Sequence, residues 1–154
     1  MRVIANSFLR WSHYAFWTNL SITIFLKSIF LLAHRRLHDL SERFVFQYEK
    51  RVYHIPVKEI RYFEKRLRQI YIHCQDADYR FYGKIEEVKK TLDEKTRFFI
   101  QVQKSYIVNF ACIRYMNVTE VELLTGEKFM LSKEFKKSAT EKYLRLIGES
   151  MGRE

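Results

Sequence analysis

The stretch that most restricts how this chain can fold is residues 98–115, FFIQVQKSYIVNFACIRY. Phe98, Phe99, Ile100 and Val102 open it with an apolar, β-favouring run, and Tyr106, Ile107 and Val108 continue it. Aromatic and β-branched side chains suit a pleated, half-buried surface. Between the two runs sits a short polar insert, Gln103-Lys104-Ser105. The pattern predicts a strand, a tight turn and a second strand. Gln103 and Lys104 then stand as long donor side chains where the backbone is pinned on both sides. The same pattern also accommodates a merely solvated Lys104.

The chain around this stretch reads in the same style from Arg43 onwards. Phe44, Phe46 and Tyr48 alternate with Val45, Gln47 and Glu49, and Val52 to Ile55 follow a polar turn at Lys50-Arg51. This predicts a hairpin closing near Pro56, which lacks a ladder donor. Ile60 to Phe63 is a further short strand, and residues 69–74 and 79–82 form a second hairpin around Gln75-Asp76-Ala77-Asp78. After Gly83 the period changes. Ile85, Val88 and Leu92 recur at helical spacing, with Glu86 and Lys90 as an i,i+4 pair, so a short amphipathic helix covers a sheet. Val121 and Leu123 alternate with Glu120 and Glu122 in a strand with one wet face. Thr125-Gly126 turns the chain, and Phe129 and Leu131 return. Ser132 is the expected N-cap of a final helix with Phe135, Ala139, Tyr143, Leu144 and Ile147 on its apolar face. The fold class expected is mostly β, in short antiparallel sheets, with one short covering helix and a C-terminal helix, preceded by an N-terminal helix.

Residues 1–42 differ from the rest. Residues 15–33, AFWTNLSITIFLKSIFLLA, hold most of the apolar side chains there, but Thr18, Asn19, Ser21, Thr23, Lys27 and Ser28 interrupt them. A membrane span needs about 20 mostly apolar residues, and a central Lys costs roughly 2.5–3.5 kcal/mol. Two readings stay open, a non-spanning helical segment in a cytoplasmic protein and an inner-membrane anchor over 15–33. Either way the organisation is 1–42 followed by a domain over 43–154.

Composition limits the classes of function. Lys and Arg number 28 against 18 Asp and Glu, giving a net charge of +10 and a pI near 9.6. Such a surplus favours a polyanionic partner, nucleic acid or an anionic membrane. Two cysteines, Cys74 and Cys112, are too few for a disulfide scaffold and read as small core hydrophobes. His73 beside Cys74 cannot pair with it on one strand, because neighbours point to opposite faces. No phosphate loop, HExxH, GxSxG or paired-Cys zinc spacing is present. His34 and His38 are four residues apart, but no carboxylate or thiol completes a metal site there. No catalytic residue, metal, cofactor or small-molecule substrate is expected, and the chain does not read as an enzyme. The chemistry lies instead in cations at predicted junctions: Lys65, Arg66 and Arg68; Gln103 and Lys104; Lys133, Lys136 and Lys137.

Phe99, Ser105-Tyr106-Ile107-Val108-Asn109 and Ile113 stand in the order and spacing of the signature segment of LytTR DNA-binding domains. Ile60-Arg61-Tyr62-Phe63-Glu64, Phe81-Tyr82-Gly83 and Leu131-Ser132-Lys133 extend the resemblance over about residues 43–149. One departure is Gln103, which stands where the family often has His; Lys104 keeps the family's cation. The resemblance implies sequence-specific binding of double-stranded DNA in bacterial transcription control, in the manner of a response-regulator output domain of a two-component system. A homodimer on a repeated site is then expected. It also implies that DNA is met by loops, and it assigns positions matching Arg68, Lys104 and Lys133 to DNA, with Glu134 competing for the last. Residues 24–28 and 31–37 look like the tail of a receiver domain, with Ser28 in place of its Pro. Arg presents a planar fork suited to guanine O6 and N7, and Gln can pair with adenine N6 and N7. Lys offers phosphates a point charge. The expected DNA-binding set is therefore Arg66, Arg68, Gln103, Lys104, Lys133, Lys136 and Lys137.

Overall fold

The computed structural model describes residues 42–151 together with Lys27 and Ser28. The two readings of residues 15–33, the receiver-like tail and the His34/His38 pair lie outside the described residues, apart from Lys27 and Ser28, which are helical. Among the described residues no helix is long and apolar enough to cross a membrane.

Strands β1 (Arg43–Tyr48) and β2 (Arg51–Pro56) form an antiparallel hairpin. Its turn is Glu49-Lys50, at φ +48° and +63°, one residue earlier than the pattern suggested; Arg51 pairs with Tyr48 inside the ladder. Two successive positive φ angles give the turn the twist that a two-residue hairpin needs. A 3₁₀ turn at Val57–Glu59 leads into β3 (Ile60–Arg66). Then come β4 (Gln69–Cys74), β5 (Asp78–Tyr82), α1 (Ile85–Lys95), β6 (Phe99–Gln103) and β7 (Tyr106–Asn109). These five strands make the central antiparallel sheet, in the order β5-β4-β3-β7-β6. After a second 3₁₀ turn, β8 (Ile113–Met116), β9 (Glu120–Leu123) and β10 (Lys128–Met130) form a three-stranded sheet, and α2 (Lys136–Met151) ends the described chain.

The central sheet has a core on each face. Phe63, Ile70, Ile72, Phe99 and Ile107 join Phe44, Phe46 and Ile55 of the hairpin and Ile85, Val88 and Leu92 of α1. From the other face Ile100, Val102 and Val108 join Val121, Leu123, Phe129 and Ala139 and Leu146 of α2. Strict alternation along β6 and β7 feeds both cores from single strands. Asn109 locks the join: its Nδ2 donates to the Ile60 carbonyl (2.8 Å) and its Oδ1 accepts from Ala111 N (3.0 Å). Gly83 sits where an added Cβ would meet the Phe81 ring at 2.9 Å, so a side chain there would have to push that ring aside.

Several local expectations shift. β3 runs on to Arg66 instead of ending at Phe63, because Lys65 and Arg66 continue the ladder opposite Ile70 and Gln69. Glu86 and Lys90 form no ion pair; Lys89 with Asp93 does, at 2.8 Å. The wet face of β9 is partly covered, since Glu122 is buried beneath Arg114 (3.0 Å) and Lys128 (3.1 Å). The Ser132 hydroxyl does not cap α2. Its carbonyl accepts from Phe135 N and Lys136 N, its hydroxyl is buried without a partner, and the helix starts at Lys136. Leu146, not Leu144, faces the core, and Leu144 stays 61% exposed.

Candidate nucleic-acid interface

One end of the central sheet gathers three turns. The β3–β4 turn consists of Leu67 and Arg68, closed by the Arg66–Gln69 pair. The β6–β7 turn is Lys104-Ser105, and Lys65 N donates to the Ser105 carbonyl (2.8 Å), tying it to the first. The loop before α2 joins them, because Ser132 N donates to the Val102 carbonyl (3.1 Å) and Gln103 Nε2 to the Met130 carbonyl (2.6 Å). On the far side Gly83 N donates to the Arg68 carbonyl (3.3 Å). Backbone bonds thus hold three loops, far apart in sequence, along one rim.

Arg68, Lys104, Lys133, Lys136 and Lys137 are all exposed on this rim or on the first turn of α2. None has a side-chain hydrogen bond or ion pair among the described residues. Arg61 behaves differently: it donates to the Cys74 carbonyl (2.9 Å) and pairs with Glu127, fastening the two larger sheets together. The first turn of α2 carries no acidic residue, so Lys136 and Lys137 add to the positive end of the helix dipole. A helix start of this kind attracts phosphate.

Arg66 and Gln103 are placed otherwise. Arg66 lies on the sheet's own face, where Nε and Nη2 clamp Glu64 at 2.7 and 2.8 Å, and its guanidinium sits 4.8 Å over the Tyr71 ring. Glu64 is buried. Its carboxylate also accepts from the Tyr106 hydroxyl (2.9 Å) and contacts His73 Nε2 (3.1 Å), while His73 Nδ1 meets Asp78 at 2.9 Å. Burial pushes the Glu64 carboxyl up, but the bonds from Arg66, Tyr106 and His73 outweigh it and hold it below the usual range. Gln103 is at the end of β6 rather than in the turn, with one N–H committed to Met130.

Pattern reading missed Arg80. It faces the same side as Arg66, because Tyr71 pairs with Arg80 across β4 and β5, and its Nε donates to the Tyr48 hydroxyl at 3.1 Å. The hydroxyls of Tyr48 and then Tyr71 beside it push its pKa up. The signal was the alternation Asp78, Arg80, Tyr82, which shares a face once the register with β4 is known. Cys74 is buried in the first core, where burial pushes its thiol up to about 12, and His73 points to the opposite face. No group of metal-ligating side chains occurs among the described residues.

The LytTr DNA-binding domain family matches residues 50–143, most of the chain. The chain belongs to the LytTr DNA-binding domain family. Among solved structures it is similar to a LytTr DNA-binding domain from Bacillus cereus, of a protein described as a methyl-accepting/DNA response regulator. The TM-score is 0.56 at 16% identity, covering 66% of this chain and 95% of that one. No curated protein matches. The mostly β architecture is that of the family, and all three loops lie within the matched residues.

Proposed function

We propose that this LytTr domain reads the sequence of duplex DNA through its three-loop rim and serves as the output module of a bacterial transcription regulator. The observation that carries this is the rim itself: unpaired cations on three loops, held in register by backbone bonds. Arg68 is positioned at a two-residue turn and is the proposed base reader, with guanine O6 and N7 as its partners. Lys104 takes a base edge or the adjacent phosphate. Gln103 has an amide oxygen and one N–H left for adenine. Lys133, Lys136 and Lys137 hold phosphates, assisted by the α2 N-terminus. Arg66 joins them if DNA phosphate competes with Glu64. Both cores are built within 43–154, so this portion should fold and bind without residues 1–42. Binding as a homodimer to a repeated site and a cytoplasmic setting belong to the same reading.

Selection of sequences by the full chain from a random duplex pool tests it, followed by titration of the selected and a scrambled duplex at several salt concentrations. Arg68→Ala should bring the two affinities about ten- to a hundredfold closer. Lys137→Ala should weaken both alike and lower the salt slope by about one unit. Equal weakening by Arg68→Ala removes base reading from that loop. Binding to anionic vesicles with no preference among duplexes would turn the basic rim into a lipid-facing surface.

A further inference from the structure

Leu67, at the tip of the β3–β4 turn, is 95% exposed and adopts φ +56°. Neither fact has a reason among the described residues. The left-handed region crowds a branched side chain and is the natural place for Gly at the first position of such a turn. A leucine this exposed gains almost nothing from burial. Its neighbours, Arg66 and Arg68, are cations, and Lys104 stands on the adjoining turn, which is tied to β3 through Lys65 and Ser105. An apolar tip flanked by the unpaired cations Arg68 and Lys104 matches one feature of DNA, the thymine 5-methyl group on the major-groove edge, flanked by phosphates. A wedge between base pairs would need packing support behind it, and at 95% exposure Leu67 has none.

Resting on the DNA-reading function proposed above, we infer that Leu67 is a specificity-determining residue that packs against a thymine methyl next to the base contacted by Arg68. The turn holds the isobutyl group outward, and the strained backbone fixes its direction. The contact removes apolar surface from water on both sides, so it discriminates thymine from bases without the methyl.

The experiment uses the full chain and the duplex it selects, with each thymine replaced singly by deoxyuridine, which removes only the methyl. Wild type should lose about two- to fivefold in affinity at one such position, as burial of a single methyl implies. Leu67→Ala should bind the thymine duplex more weakly and show no loss at that position. Leu67→Gly, which relieves the φ angle, should fold at least as stably and be equally blind to the methyl, so loss of fold cannot explain the result. A selected site at which no deoxyuridine substitution depends on Leu67 overturns the inference while leaving DNA reading intact. A pool from which no sequence is selected overturns base reading itself, and this contact with it.

Discussion

On β3 and β4, Phe63, Ile70 and Ile72 point to one face of the central sheet, while Tyr62, Glu64, Tyr71 and His73 point to the other. The first set is fully buried under the β1–β2 hairpin and α1. The second is a network of ionisable and aromatic groups. Tyr62 stacks on His73 at 4.2 Å, Glu64 collects bonds from three elements, and Arg66 and Arg80 close it towards solvent. The same two strands therefore do two jobs. The apolar face supplies non-directional burial and sets stability. The polar face supplies directional bonds, which fix where β3 and its turn present their cations. A buried polar group that lost its partners would cost far more than it gives, so this face trades strength for position.

The apolar face is most vulnerable at Phe63. Its ring makes edge contacts with Phe44 (5.0 Å) and Phe99 (5.6 Å) and has no exposed surface. Phe63→Ala should cost about 3–5 kcal/mol by urea unfolding, through lost transfer energy and a cavity between three elements. On the opposite face, Glu64→Gln keeps the volume and removes the charge. An amide group would face Arg66 or His73, and a loss of about 1–3 kcal/mol is expected at neutral pH. A loss at Glu64 as large as that at Phe63 would mean that the polar face also carries the fold.

Acid sharpens the same contrast. The Glu64 carboxyl is held below its ordinary value in the fold, so the unfolded chain takes up its proton first as pH falls. The stability it contributes is full above the ordinary carboxylate value of about 4.3 and is lost as pH falls through the lower, folded value. Wild type and Glu64→Gln should converge in urea midpoint across that window. The gap between wild type and Phe63→Ala should change little. Equal convergence of both variants would show that general acid expansion, not Glu64, governs the loss.

Much of this was legible in the chain. The alternation of Phe44 and Phe46, the helical spacing of Ile85, Val88 and Leu92, and the strand-turn-strand of residues 99–109 each carry their own period, and the structure follows them. Features that depend on pairing register were not legible. Nothing in Glu64 alone shows that Tyr106, forty-two residues later, donates to it, or that Arg80 shares a face with Arg66. Ser132 fits the composition of an N-cap, yet tertiary bonding of its backbone to Val102 places its hydroxyl away from any donor. For the candidate site, the cationic loops were visible as residues, but their alignment on one rim comes from Lys65–Ser105, Val102–Ser132 and Gln103–Met130 bonds across the sheet.

The smallest expected effect runs in the opposite direction and lies at the rim, where the two faces meet solvent. Two of the tight turns, β1–β2 and β3–β4, use positive φ without glycine. At Glu49-Lys50 both central residues do so, at +48° and +63°, whereas at Leu67-Arg68 only Leu67 does. A left-handed conformation costs a non-glycine residue roughly 1–2 kcal/mol, and glycine gives back part of that relief through its freer unfolded chain. Leu67→Gly should therefore raise stability by about 0.5–1 kcal/mol, seen as a higher urea midpoint with an unchanged slope. Leu67 buries nothing that the substitution could forfeit. A rim built for holding would lose stability on truncation, as the apolar face does at Phe63. A rim built for contact, as proposed, gains stability and loses its reach, because strain at an exposed apolar tip costs the fold without adding burial. A fall in stability on Leu67→Gly would show that the leucine supports the turn, and the separation between the holding face and the proposed reading rim would then fail at its most exposed residue.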